Sequence, residues 1–377
     1  MRVLLVALGI YDQEGGIERV GRRLLRSAAE LQGPRGRTAA VALRDRESHP
    51  AGLPAGVDLV PGRSGRLATV LAFIRLLVAR RPSVIVYTHV LVAPLGVVAR
   101  VLQPRARQVL LVHGIEVWDR PGRLTRWVVR HAVDQVVAVS RYTAARMAAG
   151  YGLDEQAIRI LPLAVDPIEH AVAPDRSPDD GPTIVSVSRL AKGDAYKNID
   201  KVILAMPALL EEFPDLRYAI LGDGDWRPEL EALARDTGVA AHVDFAGRVS
   251  DADRDALYDC SDILVLPSTR EGFGLVFLEA WQHTLPAIGA TEGASAEVIE
   301  DGVNGLCIEP TPPAIAAAVG SLLRDPDRRR RMGEAGRRTV DERYTHRHFR
   351  EQLGRILEEQ LRVRNSRHPR SARPSRP

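Results

Sequence analysis

Short, continuously apolar runs alternate along the chain with longer stretches whose apolar positions recur every three to four residues. In the first half, the runs at 2–8, 38–43, 83–87, 108–113 and 135–140 predict buried strands. The stretches at 17–30, 67–79, 93–101 and 123–131 predict amphipathic helices between them. Strands without polar alternation, separated by helices, imply a parallel sheet covered on both faces. A Pro- and Asp-rich stretch, with Pro162, Pro167, Pro174, Pro178 and Pro182, breaks the rhythm and reads as a linker. The pattern then restarts, with strands at 183–188, 217–221, 243–245, 263–266 and 286–289. Its helices are predicted at 199–212, 227–236, 251–260, 275–282 and 313–323, with Pro207 expected to kink or shorten the first. A C-terminal helix follows at 346–361, and the Arg-, Ser- and Pro-rich residues 362–377 read as a disordered basic tail. The fold class is therefore α/β, as two Rossmann-like doubly wound domains, 1–165 and 166–345, facing a central cleft. Ligands of such sheets sit outside the carboxyl ends of the strands.

The length of 377 residues suits two domains. With 45% hydrophobic and 27% charged residues, disordered, collagen-like and disulfide-scaffold proteins are excluded. Aromatics at 5% argue against stacking on nucleic-acid bases, so no nucleic-acid partner is expected. The net charge of +4 and pI of about 9.2 suit anionic small molecules or anionic lipid. Cys260 and Cys307 are far apart and lack metal-ligand spacing. The apolar start, Val3 to Ile10, lacks a small-residue cleavage site, and no run reaches the roughly 20 residues that span a bilayer. The chain reads as a soluble, cytoplasmic protein.

Two constellations carry chemistry. In Glu271-Gly272-Phe273-Gly274-Leu275-Val276-Phe277-Leu278-Glu279, two carboxylates flank a Gly-rich turn between a predicted strand and a helix. Such glycines admit close backbone approach, helix-end amides suit an anion, and carboxylates accept from sugar hydroxyls. In Ser188-Arg189-Leu190 and Lys197-Asn198, an Arg at a strand end and a Lys before a helix can converge on one diphosphate. Asp223-Gly224-Asp225 imitates an Asp-x-Asp metal motif but follows a strand as a Gly turn, so no metal site is expected there. The 67–79 helix, flanked by Arg63, Arg66, Arg80 and Arg81, reads either as peripheral membrane contact or as a helix packed on its own sheet.

Together with Gly222-Asp223-Gly224, Phe245-Ala246-Gly247 and Asp301-Gly302-Val303-Asn304-Gly305, these motifs stand in the order of a known family. Upstream, Gly15-Gly16-Ile17-Glu18, His113-Gly114-Ile115-Glu116-Val117-Trp118 and Val139-Ser140-Arg141-Tyr142 complete the set. Over about residues 1–360 the chain resembles the family-4 retaining glycosyltransferases of GT-B fold. The resemblance implies hexosyl transfer from a UDP-sugar or GDP-mannose to a glycan or lipid-linked acceptor, in polysaccharide or glycolipid biosynthesis; the basic-flanked 67–79 helix and the mild positive charge add peripheral contact with the inner face of the cell membrane as an expectation. It implies no cofactor and no metal, the nucleotide sugar being a substrate. His113, Arg189, Lys197 and Glu271 inherit the catalytic roles. Arg189 and Lys197 would hold the diphosphate, Glu271 the sugar hydroxyls, the Phe273-Gly274-Leu275 backbone sugar and phosphate, and Glu279 the ribose. Gly15 and Gly16 would let the first loop approach the donor or the acceptor. Lys192, followed by Gly193, competes with Lys197 for the diphosphate role, and Leu163 stands where many relatives carry Asn. A sugar-nucleotide epimerase and a non-catalytic binding module remain the alternatives.

Overall fold

The computed structural model describes residues 1–12, 15–33, 38–62, 65–168 and 181–367. The chain forms two compact units, one of residues 1–163 with the segment from His346 on, the other of Ala164–Thr345. Pro174, Pro178, Arg63 and residues 368–377 lie outside the described residues.

The first unit holds seven parallel strands: β1 (Val3–Ala7), β2 (Thr38–Ala42), β3 (Val57–Pro61), β4 (Val84–Tyr87), β5 (Arg107–Val112), β6 (Gln135–Ala138) and β7 (Arg159–Ile160). Their order is β3-β2-β1-β4-β5-β6-β7. β1, β2 and β4 are buried throughout, as sequences that are apolar but for Thr38 require. β3 and β7 escape the hydrophobic pattern: β3 alternates buried and half-exposed positions at a sheet edge, and β7 has only two residues. β6 stops at Ala138, short of the predicted end, because Ser140 caps the next helix, Arg141–Tyr151, by accepting from the Thr143 N–H at 3.1 Å.

The second unit repeats the design with β8 (Thr183–Val187), β9 (Arg217–Leu221), β10 (Val243–Gly247), β11 (Ile263–Leu266), β12 (Ala287–Ala290) and β13 (Gly305–Ile308). The order is β10-β9-β8-β11-β12-β13, again all parallel. Each sheet reverses direction beside its first strand, between β1 and β4 and between β8 and β11, and a crevice opens at such a reversal. The Ile199–Glu212 helix is not shortened by Pro207, since Ile203, Met206 and Leu209 stay buried across it.

The last helix, His346–Arg367, runs six residues beyond the predicted end at 361. Residues 362–367 are thus helical, not tail. It belongs to the first unit, where His346 and Arg350 each reach Glu30 at 3.0 Å and Arg107 donates to Gln360 at 2.9 Å.

Candidate functional site

In the second unit, the turns after β8 and β11 meet at the reversal point. Arg189 leaves β8 and donates through Nε to Asp194 Oδ2 at 2.6 Å; Asp194 is buried, while the Arg189 side chain is 67% exposed. That hydrogen bond, against the opposing effect of burial, raises the guanidinium pKa further. Asp194 also accepts from the Tyr196 hydroxyl at 3.0 Å, and the Lys197 ammonium lies 5.5 Å from the Tyr196 ring centre. Burial, reinforced by Asp194, pushes the Tyr196 hydroxyl well above its usual range. Lys197 Nζ donates to Glu271 Oε2 at 2.5 Å, with the two side chains only 18% and 14% exposed. One continuous chain of contacts therefore runs from Arg189 to Glu271.

Backbone geometry explains why these residues meet. Asn198 adopts a left-handed conformation (φ 59°), which Asn tolerates, and its amide donates to Pro267 O at 2.7 Å and Tyr196 O at 3.0 Å. Thr269 N–H donates to Tyr196 O at 3.0 Å, stitching the β11 turn to the lysine turn. Gly222 has φ 133°, and a Cβ there would lie 1.8 Å from Ser188 O. The Gly222-Asp223-Gly224 turn thus packs against the backbone beneath Arg189. Asp225, the decoy's second carboxylate, accepts from the Lys192 N–H at 2.9 Å.

Lys192 points elsewhere. It pairs with Glu229 at 2.6 Å on an open surface, so the structure joins Lys197, not Lys192, to Glu271.

Gly274 caps the Leu275–Gln282 helix with φ 92°, and a Cβ there would strike the Phe277 ring at 2.4 Å. Phe273 is buried edge-on to Tyr344, 5.7 Å between ring centres, so this turn offers a ligand its backbone and not the Phe273 ring. Glu279 lies one helix turn on and accepts from the Tyr258 hydroxyl at 3.4 Å. Arg254 stands over the same place: burial would lower its pKa, but Glu279, Asp255 and Asp251 together raise it. Sequence reasoning missed Asp194, Tyr196, Arg254 and Tyr258. The kink at Asp194 in the 192–197 turn hides any periodicity, and Arg254 sits in an acidic run, Asp251-Ala252-Asp253-Arg254-Asp255, that reads as a solvated face.

His113, Gly15 and Gly16 belong to the first unit. His113 follows β5, donates from Nε2 to Thr88 O at 2.8 Å, and holds the Glu116 carboxylate on its backbone N–H. A carbonyl can only accept, so Nε2 carries the proton. Nδ1 is buried with no hydrogen-bond partner among the described residues. Gly15 has extended backbone, and a Cβ there would meet only the movable Glu18 carboxylate, at 2.4 Å from Oε2. The loop before it wraps a buried carboxylate that the sequence did not flag: Asp45 accepts from the N–H groups of Ile10 (2.9 Å), Tyr11 (3.2 Å) and Asp12 (3.4 Å).

Two family descriptions match this architecture: "Glycosyltransferase Family 4" over residues 14–169 and "Glycosyl transferases group 1" over residues 168–339. A GDP-mannose-dependent alpha-(1-6)-phosphatidylinositol monomannoside mannosyltransferase of Mycolicibacterium smegmatis is 35% identical over 264 residues, 65% of this chain and 68% of that one. The chain belongs to the family-4 glycosyltransferases. A second relative of this glycosyltransferase, the alpha-D-kanosaminyltransferase of Streptomyces kanamyceticus, is 30% identical over 66% of this chain and 67% of its own. Solved structures agree on the fold. HepE of Anabaena, in complex with UDP and glucose, matches with TM-score 0.77 and 17% identity over 95% of this chain and 100% of that one. The sucrose-phosphate synthase of Thermosynechococcus elongatus matches with TM-score 0.82 and 19% identity over 96% and 100%. The glycosyltransferase therefore has the GT-B architecture of two parallel-sheet, Rossmann-like domains, and its relatives favour neither the epimerase nor the non-catalytic reading.

Proposed function

We propose that this glycosyltransferase moves a mannosyl unit from GDP-mannose to a lipid-linked acceptor at the inner face of the membrane, retaining the anomeric configuration and using no metal ion. The observation that carries the reading is the contact chain Arg189–Asp194–Tyr196–Lys197–Glu271 at the β8/β11 reversal. Arg189 uses Nε on Asp194 and keeps its two terminal nitrogens for a diphosphate; the exposed side chain can follow the anion as it leaves. Lys197 supplies the second cation, and fixed positive groups of this kind stabilise the charge that grows on a departing diphosphate. Glu271, neutralised by Lys197 in the free enzyme, turns to the sugar hydroxyls when the diphosphate takes that lysine. Glu279, steadied by Tyr258 and Arg254, takes the ribose hydroxyls. His113, at the end of β5, serves the reacting end of the sugar, and the departing phosphate itself helps take the acceptor proton.

The donor follows the relatives named for GDP-mannose and phosphatidylinositol mannoside. A UDP-sugar is the second reading, favoured by the similar fold solved with UDP and glucose. Incubation with radiolabelled GDP-mannose or UDP-glucose and a polar lipid extract, in EDTA, tests both. Label entering the organic phase from GDP-mannose supports the proposal; transfer from UDP-glucose alone moves it to the second reading. Isomerised nucleotide sugar, or no transfer from either, would overturn it.

A further inference from the structure

The charge of this enzyme is unevenly placed. Overall it is only +4, yet no Asp or Glu occurs between Asp58 and Glu116. That stretch supplies two helices on one face of the first sheet, Arg66–Arg80 and Leu95–Leu102, and Arg123–His131 lies beside them. Right-handed crossovers from β3 to β4, β4 to β5 and β5 to β6 place all three on that face. They form one layer: Gln103 donates to Leu77 O at 3.2 Å, and Arg100 to Ala132 O at 2.7 Å. Together the three helices carry seven arginines and no carboxylate.

Each helix already satisfies its inner side, with Phe73 and Leu77, Ala99, and Val128 and Val129 buried. Each nevertheless presents large apolar side chains outward: Leu67 (74% exposed) and Leu71 (49%), Val101 (75%), and Leu124 (68%) and Trp127 (50%). Arg75, Arg123 and Arg130 stand exposed among them. In the second unit, Leu204 and Val303 alone are comparably exposed among the described residues. Scattered exposed leucines need no explanation, but a concentration on one face marks an interaction surface. Duplex nucleic acid would want the arginines without the leucines, valines and tryptophan. Apolar side chains set among exposed arginines, on helices whose own sequences hold no carboxylate, match the boundary of an anionic bilayer; Asp58 and Asp134, beside them, are taken up by Arg80 and Arg100.

We propose that this three-helix face docks the enzyme on an anionic lipid surface, with Leu67, Leu71, Leu124 and Trp127 entering the headgroup region and Arg75 and Arg123 on lipid phosphates. The inference rests on the reading of a lipid-linked acceptor and assigns it a surface, one wider than the single 67–79 helix that the sequence singles out. Flotation of the full-length enzyme with vesicles of phosphatidylcholine alone, or with added phosphatidylglycerol, tests it at low and high salt. Binding is expected only with phosphatidylglycerol. Arg75→Gln with Arg123→Gln should weaken it about 25-fold, at roughly fivefold per arginine near the surface. Leu124→Ser with Trp127→Ser should abolish the fraction that resists salt. Unchanged melting temperature and unchanged GDP-mannose binding show that each variant is folded; donor binding is read separately, so failure of the donor assignment would leave the vesicle result standing. No binding by the unmodified enzyme to phosphatidylglycerol vesicles, or undiminished binding by both variants, overturns the proposal. Self-association lost in the serine variant, without vesicle binding, also overturns it and makes the face an interface between copies.

Discussion

Replacing Lys197 by Met keeps most of the side-chain stem and deletes the ammonium that lies 2.5 Å from Glu271. At that distance and an effective dielectric constant near 20, the gross attraction is about 7 kcal/mol, most of it offset by desolvation. What the mutation exposes is the remaining carboxylate, only 14% exposed and now without a countercharge. Stranding a fully buried partner costs about 3–5 kcal/mol, so for this nearly buried one we expect about 2–3 kcal/mol. For a unit of this size that is a fall in Tm of roughly 5–10 °C. Turnover in the labelled-donor assay should fall about 100- to 1,000-fold, the scale for one preorganised stabiliser of developing charge. The two effects separate in the double variant Lys197→Met/Glu271→Gln. Removing the stranded charge should restore most of the Tm and none of the turnover. Lys192→Met, which breaks an open-surface pair with Glu229, should change stability by about 1 kcal/mol or less and turnover only a few-fold. A double variant that regained turnover along with stability would show that the pair is only structural. A silent Lys197→Met beside a crippled Lys192→Met would show that the wrong lysine was chosen.

Glu279→Ala should weaken calorimetric donor affinity by about 1.5–3 kcal/mol, the range for hydrogen bonds to a charged group; unchanged affinity in the folded variant would remove the ribose role. Transfer should survive EDTA at full rate, whereas loss on chelation with recovery in magnesium or manganese would contradict the metal-free mechanism. Burial alone would raise the Glu30 carboxyl, but hydrogen bonds from His346, Arg350 and Arg26 outweigh it and hold the pKa down to about 2. Its stabilising contribution is thus complete above the ordinary carboxylate range and is lost as pH falls from about 4.5 towards 2. Glu30→Gln should therefore lower Tm at neutral pH and flatten the loss between pH 4.5 and 2; parallel pH profiles for the two proteins would refute this. Asp45→Ala leaves the N–H groups of Ile10, Tyr11 and Asp12 without their shared acceptor. It should raise the KM for acceptor more than it lowers donor affinity, and an equal effect on both would argue against a local loop role.

The parallel sheets and most strands were legible because buried parallel strands have no polar alternation to confuse them, as Val3–Ala7 and Ile263–Leu266 show, whereas the strand order came only from the structure. Of the edge strands only Val243–Gly247 was foreseen: Val57–Pro61 carries Asp58 at a half-exposed position, Arg159–Ile160 has two residues, and Gly305–Ile308 is mostly half-exposed. The return of the last helix to the first unit was invisible, since it depends on contacts such as His346 to Glu30 that join residues hundreds of positions apart. At the candidate site, the charged residues stood out by their place after a strand or before a helix, as Arg189, Lys197 and Glu271 do. Their partners and other buried charges were hidden. Asp194, which holds Arg189, is set by a kinked turn, Arg254, beside Glu279, lies among carboxylates, and Asp45, in the first unit, binds backbone groups that have no sequence signature.

Hydrogen exchange with and without GDP-mannose reads directly whether the nucleotide sugar occupies the turns after β8 and β11. Saturating donor should slow exchange in residues 189–198 and 271–279 of the unmodified enzyme, and the same segments should stay unprotected at that concentration in Lys197→Met. Binding that left both segments unchanged while protecting another part of the chain would contradict the assignment.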